Sequence, residues 1–404
     1  MRTYLLALNP TDSVTEGFLP AAHRLGLDVT VLTDDPAAHL AVTAAGYAGV
    51  EVLGCDVRDF RSVVALISAR GRPAAIFSNS DHLQVQTALA ADYFGLPGKD
   101  WRVALRTKDK AEMRRWLAAS GLPAAHAVRA AEVPAGADLA AALDGLGVGF
   151  PCVVKPREGV ASEDVVLARD KDELAAHCAG IRARRADAAL VVEEFLPGAL
   201  CTLETLGDGT TRRVLGGFRT QLSPPPYFIE ERLTWDPDRQ EAVEAQVLVQ
   251  LDALGVGFGA CHTEFVVDRG QARIVEVNYR AIGDRCDLLL HELLGVPFFD
   301  LVLRVHLGEA LPPGPWPRPA GAACLVYPYA RTAGTLVAAP GPEDTETDGV
   351  RLAYRPLRAT GTRQPVHHTN RDLLGVVQAV GPDQETVDRV ADAFVAARRW
   401  EIAP

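Results

Sequence analysis

The chain is 404 residues long and carries 41 basic against 52 acidic side chains, a net charge of −11 that offers no electrostatic footprint for a nucleic-acid backbone or an anionic membrane surface. A hydrophobic share of 48% with interspersed charge is that of a soluble globular protein, and the length suits two or three domains. Seven cysteines without C-x-x-C pairs indicate reduced thiols rather than a disulfide framework or structural zinc, and no run reaches the ~20 apolar residues of a membrane span, so a cytoplasmic protein is expected.

Up to about residue 97, apolar runs at 4–8, 29–32, 50–53 and 75–78 alternate with helical patterns such as 14–25 and 59–69. That alternation predicts a small parallel sheet covered by helices. The turn at 9–17 lacks G-x-G-x-x-G, so no dinucleotide is expected there; it is a candidate wall of a substrate pocket at the carboxyl ends of the strands. A helix is predicted from about Lys108 to Ser120 with Thr107 as N-cap, which puts Lys110 in its first turn, where backbone N–H groups favour anions. Taken alone, Lys110 reads more simply as a surface lysine.

Residues 150–156, FPCVVKP, read as a buried strand with Lys155 at its end, a costly place for a cation without a counter-charge. The loop that follows, REGVASED, contains Gly159 and Ser162; it is either a phosphate loop built from backbone N–H groups or an ordinary connection. Asp170 and Glu173 have capping-box spacing for the next helix. Residues 189–195, ALVVEEF, form another buried strand, and its exit through Glu193, Glu194, Phe195 and Leu196 is either a backbone edge for adenine or a plain strand-to-turn junction. Antiparallel runs at 200–206 and 213–219 follow, then SPPPY at 223–227. Asp236 and Pro237 are expected to open a long helix that ends near Gly255. GVGFGA at 255–260 matches a dinucleotide fingerprint in letters only, because it follows a helix and precedes a strand.

The densest signal is HTEFVVDRGQARIVEVNYRAIGD at 262–284, two β-rich runs around a turn. With a loop of residues 269–271, Asp268 pairs with Ala272 and Glu264 falls opposite Glu276, with Asn278 on the same face. Two facing carboxylates repel unless something positive lies between them, and a hard divalent cation suits two carboxylates and an amide oxygen. Arg280, just beyond the strand, would meet an anion held by that metal. The competing view leaves both glutamates on the wet face of a sheet. Further on, a proline-rich linker is expected at 312–319, strands near 323–327 and 374–380, and a last helix at about 383–398.

Lys110, FPCVVKP, ALVVEEFLPG and TEF…IVEVNYR, in this order, resemble the ATP-grasp superfamily, and within it the carboxylate-amine ligases that include the L-amino acid ligases. The resemblance covers roughly residues 100–310. It implies an α/β and α+β chain: an N-terminal parallel α/β domain at 1–100, a two-lobed ATP-grasp fold at 101–310 and a small C-terminal α+β domain at 311–404. It also implies ATP and Mg2+, with Lys110, Lys155 and Ser162 at the phosphates and the 193–196 hinge reading adenine through backbone and carboxylate groups. Glu264, Glu276 and Asn278 would bind magnesium, and Arg280 would hold an acyl phosphate. The usual ribose-binding acid is replaced by Leu200, with Glu204 as a substitute. The implied reaction joins a small-molecule carboxylate, an amino acid or small organic acid, to an amine with release of ADP and phosphate, and a homodimer is compatible with it. Bicarbonate or formate activation, and a non-catalytic ATP-binding regulator, are the alternatives.

Overall fold

The computed structural model describes residues 1–43, 49–144, 147–314, 316 and 321–404; the linker expected at 312–319 extends outside them. Among these residues the strands form four sheets. The first is parallel, in the order Glu51–Gly54, Asp28–Thr33, Arg2–Leu6, Ala75–Phe77. Tyr4, Leu6, Leu32 and Ile76 pack on one face with Val63 and Ile67, while Leu5, Val29, Val31 and Phe77 join a larger core with Phe298 and Phe299 on the other. Burial on both faces is why these strands read as unbroken apolar runs.

A second sheet is antiparallel, in the order Ala130–Val133, Leu190–Glu194, Cys152–Pro156, Val166–Ala168, and helix Lys171–Arg184 packs on it through Leu174, Cys178 and Ile181. The capping box forms only in part. Asp170 accepts from the Glu173 N–H at 2.9 Å, but the Glu173 carboxylate accepts from Arg169 N at 2.8 Å rather than from the cap itself.

The third and largest sheet has ten strands. Its path runs Gln271–Asn278, Phe258–Asp268, Ala199–Asp208, Phe218–Leu222, Glu230–Trp235, Ala322–Val326, Gly375–Gly381, Val350–Pro356, Glu343–Thr347, with Arg212–Gly216 paired to Ala199–Asp208. Residues beyond 310 therefore continue the sheet that carries the 262–278 hairpin, through the pairing of Glu230–Trp235 with Ala322–Val326. A small sheet of Arg363–Gln364, Gly334–Ala338 and Glu401–Ala403 completes the chain.

Two helix starts differ from expectation. The helix predicted at 108–120 is two, Trp101–Lys108 and Lys110–Ala119, broken at Asp109, whose carboxylate accepts from the N–H groups of Ala111 and Glu112 at 2.9 and 3.1 Å. Thr107 lies inside the first helix and donates back to Val103 O at 2.9 Å, so it caps nothing. Likewise Asp236 pairs with Arg219 at 3.0 Å, and the helix Glu241–Leu254 begins later, ending as predicted at Gly255 with φ 82°.

Candidate active site

The hairpin reaches the expected pairing by another route. Its loop has two residues, Arg269 and Gly270, both with positive φ (48° and 79°), the geometry that matches strand twist. Asp268 therefore pairs with Gln271, and the shifted register persists to Phe265 opposite Ile274. A bulge at Val275 then absorbs one residue and returns Glu264 to a position opposite Glu276. Arg114, from helix Lys110–Ala119, donates to the carbonyls of Ile274 and Val275 at 2.8 and 2.7 Å and so holds the bulge.

Cations surround this carboxylate pair. Lys110 Nζ lies 2.8 Å from Glu276 Oε1 and 3.2 Å from Gly159 O. Burial, the largest influence, would lower the Lys110 pKa, but the charge and hydrogen bond of Glu276 together with the charges of Asp81 and Glu193 outweigh it and the amine stays protonated. On the other strand, Glu264 Oε1 accepts from Asn278 Nδ2 at 3.3 Å and lies 3.5 Å from His262 Nε2. His262 Nδ1 meets Glu204 at 2.8 Å; against the effect of burial, the two carboxylates push the imidazole up to about 10. His262 was missed as a site residue although it is two residues from Glu264 on the same face. The pattern H-x-E opposite E-x-N is the signal that would have found it.

Lys155 finds its counter-charge in Glu193, 2.7 Å away, and Arg114 holds the same carboxylate at 2.8 Å. Burial would raise Glu193, yet these two cations bring it to about 2. Glu194 is engaged as well, accepting from Arg129 N at 2.9 Å and pairing with Arg273 at 3.4 Å. Both carboxylates of the expected hinge are thus held by arginine or lysine, and Phe195 N–H is bonded to Pro151 O at 3.2 Å. Glu204, the substitute ribose acid, is turned to His262 and does not line the cavity beside the hinge, whereas Leu200 does.

Two cavities meet at the hairpin. The smaller, about 280 Å³, is lined by Lys110, Lys155, Ser162, Glu193, Glu194, Phe195 and Leu196. The larger, about 470 Å³, takes in Asn278 and Arg280 and reaches the carboxyl ends of the parallel strands at Asp12 and Asp81. Glu264, Glu276, Ser162 and Glu230 line both. Apart from Glu204, every site residue named from sequence thus borders one cavity or the other.

The loop after Lys155, poor in glycine, nevertheless takes left-handed backbone at Ala161, Ser162 and Asp164 (φ 56°, 55° and 57°), a conformation uncommon for residues with a Cβ. Contacts from distant segments hold it there: Asn370 N donates to Ala161 O at 3.1 Å, and Arg184 pairs with Asp164 at 2.5 Å. Glu230 and Asp284 were also missed. Both face the larger cavity, and among the described residues neither has a cation within ion-pair distance. Burial first, then the Glu264 and Asp284 charges, push Glu230 up to about 8. Asp284 and Arg285 are consecutive left-handed residues (φ 53° and 67°), with Arg285 tied to Asp12 and Glu16 at 2.6 and 2.8 Å. Nothing in their sequence context marks Glu230.

No family model matches the chain. Along its whole length it is 29% identical to an uncharacterized protein, y4rH, of Sinorhizobium fredii, covering 84% of that protein. Over 169 residues, 41% of this chain, it is 24% identical to the carbamoyl phosphate synthase large chain of Clostridium perfringens, of which it spans 16%. Among solved structures, the L-amino acid ligase from Bacillus licheniformis superposes with a TM-score of 0.81 at 20% identity, covering 100% of this chain and 99% of that one. The N5-carboxyaminoimidazole synthetase from Staphylococcus aureus, complexed with ADP, gives 0.69 at 14% identity over 98% and 96%.

Proposed function

We propose that this chain, which has the ATP-grasp fold, is an ADP-forming ligase that joins a carboxylate to an amine through an acyl phosphate. The observation that carries this reading is the meeting of two cavities at Glu264 and Glu276, with Lys110 and Lys155 on one side and Arg280 on the other. The smaller cavity would take ATP, its phosphates toward Lys110, Lys155 and the Ser162 loop and its adenine toward the 195–196 backbone. Magnesium fits the donors present: Glu264, Glu276 and Asn278 are hard oxygen ligands on one face of the hairpin. Among the described residues no group of three or more His, Cys, Asp or Glu side chains can hold an ion alone, so substrate phosphates and water would complete the coordination. When bound, the ion would neutralise phosphate charge and hold the γ-phosphoryl in line for transfer.

The residues of the chain then act in sequence. Lys110 and Lys155 offset charge as the carboxylate oxygen of one substrate takes the γ-phosphoryl and the bond to ADP breaks. Arg280 holds the acyl phosphate and the oxyanion that follows. The amine nitrogen attacks the carbonyl carbon, the C–N bond forms, the C–O bond to phosphate breaks and the amine gives up a proton. Glu230, held largely protonated by burial and its acidic neighbours, and Asp284, whose pKa burial also raises, favour a substrate that brings an ammonium group as well as a carboxylate, because an ammonium beside them would stabilise their charged form and be held by it. That supports an amino acid over a plain organic acid.

The test is a phosphate-release screen of amino acids, hydroxy acids and polycarboxylates offered singly and in pairs, with the nucleotide product resolved by chromatography. ADP formed only when a carboxylate and an amine are both present, and a hydroxamate when hydroxylamine replaces the amine, is the expected result. AMP and pyrophosphate, or turnover with bicarbonate or formate alone, would replace this reading. ATP binding without turnover of any pair would favour the non-catalytic regulator.

A further inference from the structure

Lys99 lies outside the chemistry just described, yet it is buried and has no carboxylate within ion-pair distance among the described residues. It stands between helices Gln84–Tyr93 and Trp101–Lys108. A buried ammonium in that state is costly unless its donors are engaged. Here Nζ donates to Gln84 Oε1 at 2.6 Å and to the backbone carbonyl of Tyr279, and it sits 4.5 Å from the centroid of the Tyr279 ring. The opposing strand makes room for it: at Gly259, where φ is +74°, an added Cβ would stand 2.9 Å from Lys99 Cε.

The residue that Lys99 grips immediately precedes Arg280. The same three-residue stretch is held at its other two positions by the N-terminal region. Asn79 Oδ1 accepts from Ala281 N at 3.0 Å, and Asp81, itself paired with Lys108, lies 3.9 Å from Arg280 Nε. Gln84 closes the network, because the amide whose oxygen accepts from the Lys99 amine donates through Nε2 to the carbonyls of Ser78 and Ser80 at 3.0 and 2.8 Å, on either side of Asn79. Tyr279 is fixed from its far end too, its hydroxyl accepting from the N–H groups of Gly257 and Phe258 at 3.2 and 3.1 Å.

We infer that Lys99 is a positioning residue: by fixing the Tyr279 carbonyl it sets where the Arg280 guanidinium stands in the larger cavity. The inference rests on the reading that Arg280 meets the acyl phosphate, and it adds that the N-terminal region, through Asn79, Asp81 and Lys99, aligns that arginine rather than only walling the pocket. A side chain whose role were stability alone would behave differently on removal of its charge, since replacing a buried charged group by an apolar one of like volume is often neutral or stabilising.

Lys99→Met separates the two roles. Hydrogen exchange of the full-length chain should quicken at the amides of Arg280 and Ala281 with the rest unchanged. Turnover should fall by about 100-fold, the cost of an ångström-scale misplacement, while calorimetry gives an ATP affinity like that of the wild type. Asn79→Ala, which removes the acceptor of Ala281 N–H without touching the buried lysine, should reproduce both effects and decides the matter where Lys99→Met fails to fold. Unchanged exchange at 280–281 overturns the clamp whatever the activity. Faster exchange with wild-type turnover overturns its positioning role. A wild-type chain that makes no ADP with any carboxylate and amine overturns the ligase reading and the role of Lys99 within it, and the exchange result still decides whether the clamp exists.

Discussion

Glu276 is the residue on which the two cavities and Lys110 converge. Glu276→Gln keeps the shape and removes the charge, so magnesium-dependent ADP formation should be lost while the fold persists. The melting temperature should drop somewhat, because Lys110 is left without its anion, and the upward shift that MgATP gives the wild type should vanish. Normal turnover in that variant would remove Glu276 from the metal set. Glu193 makes a different prediction because it is enclosed between Lys155 and Arg114. Removing one partner of such a buried group leaves the others uncompensated, so Glu193→Gln should cost about 3–5 kcal/mol at pH 7. The sign with pH follows from its shift from 4.5 down to about 2: the stabilisation is complete above pH 4.5 and is lost as pH falls toward 2. Urea denaturation of both chains should thus give curves that converge on acidification. A gap that widened in acid would exclude this account.

At the level of elements, the hairpin does not set its own register. The two-residue turn by itself would place Val275 opposite Glu264, and it is the bulge that brings Glu276 there, with Arg114 of a separate helix bonded to the two carbonyls at the bulge. Arg114→Lys preserves the charge but not the planar fork that serves these carbonyls and Glu193 together. Each carbonyl left unpaired should cost about 1–3 kcal/mol in equilibrium unfolding. Arg115→Ala, next along the helix and exposed, should stay within about 0.5 kcal/mol. An Arg114→Lys chain as stable as the wild type would mean that the bulge holds without the guanidinium.

Across the whole molecule, the parallel sheet and the ten-stranded sheet are joined by one core. Phe299, on helix Phe298–His306, meets Phe18 edge-on with centroids 4.9 Å apart, and Phe18 in turn lies 4.6 Å from Phe77 of the parallel sheet. Gly17 is part of the fit, since a Cβ there would stand 2.4 Å from the Phe299 ring. Phe299→Ala should therefore destabilise by about 3–5 kcal/mol and lower the stability of both regions together. Fluorescence and far-ultraviolet dichroism in urea should report coincident transitions for that variant. Separate transitions, with only the N-terminal one shifted, would show that the shared core does not couple them.

The sequence by itself determined the parallel sheet, the strands that carry Lys155 and Glu193, and the two-residue alternation that puts Glu264 on one strand of the hairpin and Glu276 with Asn278 on the other; their facing, reached in sequence through a loop of residues 269–271, is set in the structure by the bulge at Val275. The first three are local properties: apolar runs buried on both faces, a cation at the end of an apolar strand, and the two-residue period of a strand. Asp109 as the helix cap was legible in principle, being a stronger capping residue than the threonine two positions before it, and His262 was visible in the alternation of its strand. Tertiary structure alone decided the rest. Which cation neutralises a buried carboxylate depends on segments far away in the chain, as Arg114, 79 residues before Glu193, makes plain. Glu230 and Asp284 acquire meaning only where strands and loops distant in sequence enclose the same cavity, and Lys99 only where its amine meets a carbonyl 180 residues away. Spacing along a chain encodes periodicity; the partners of a buried charge are set by packing.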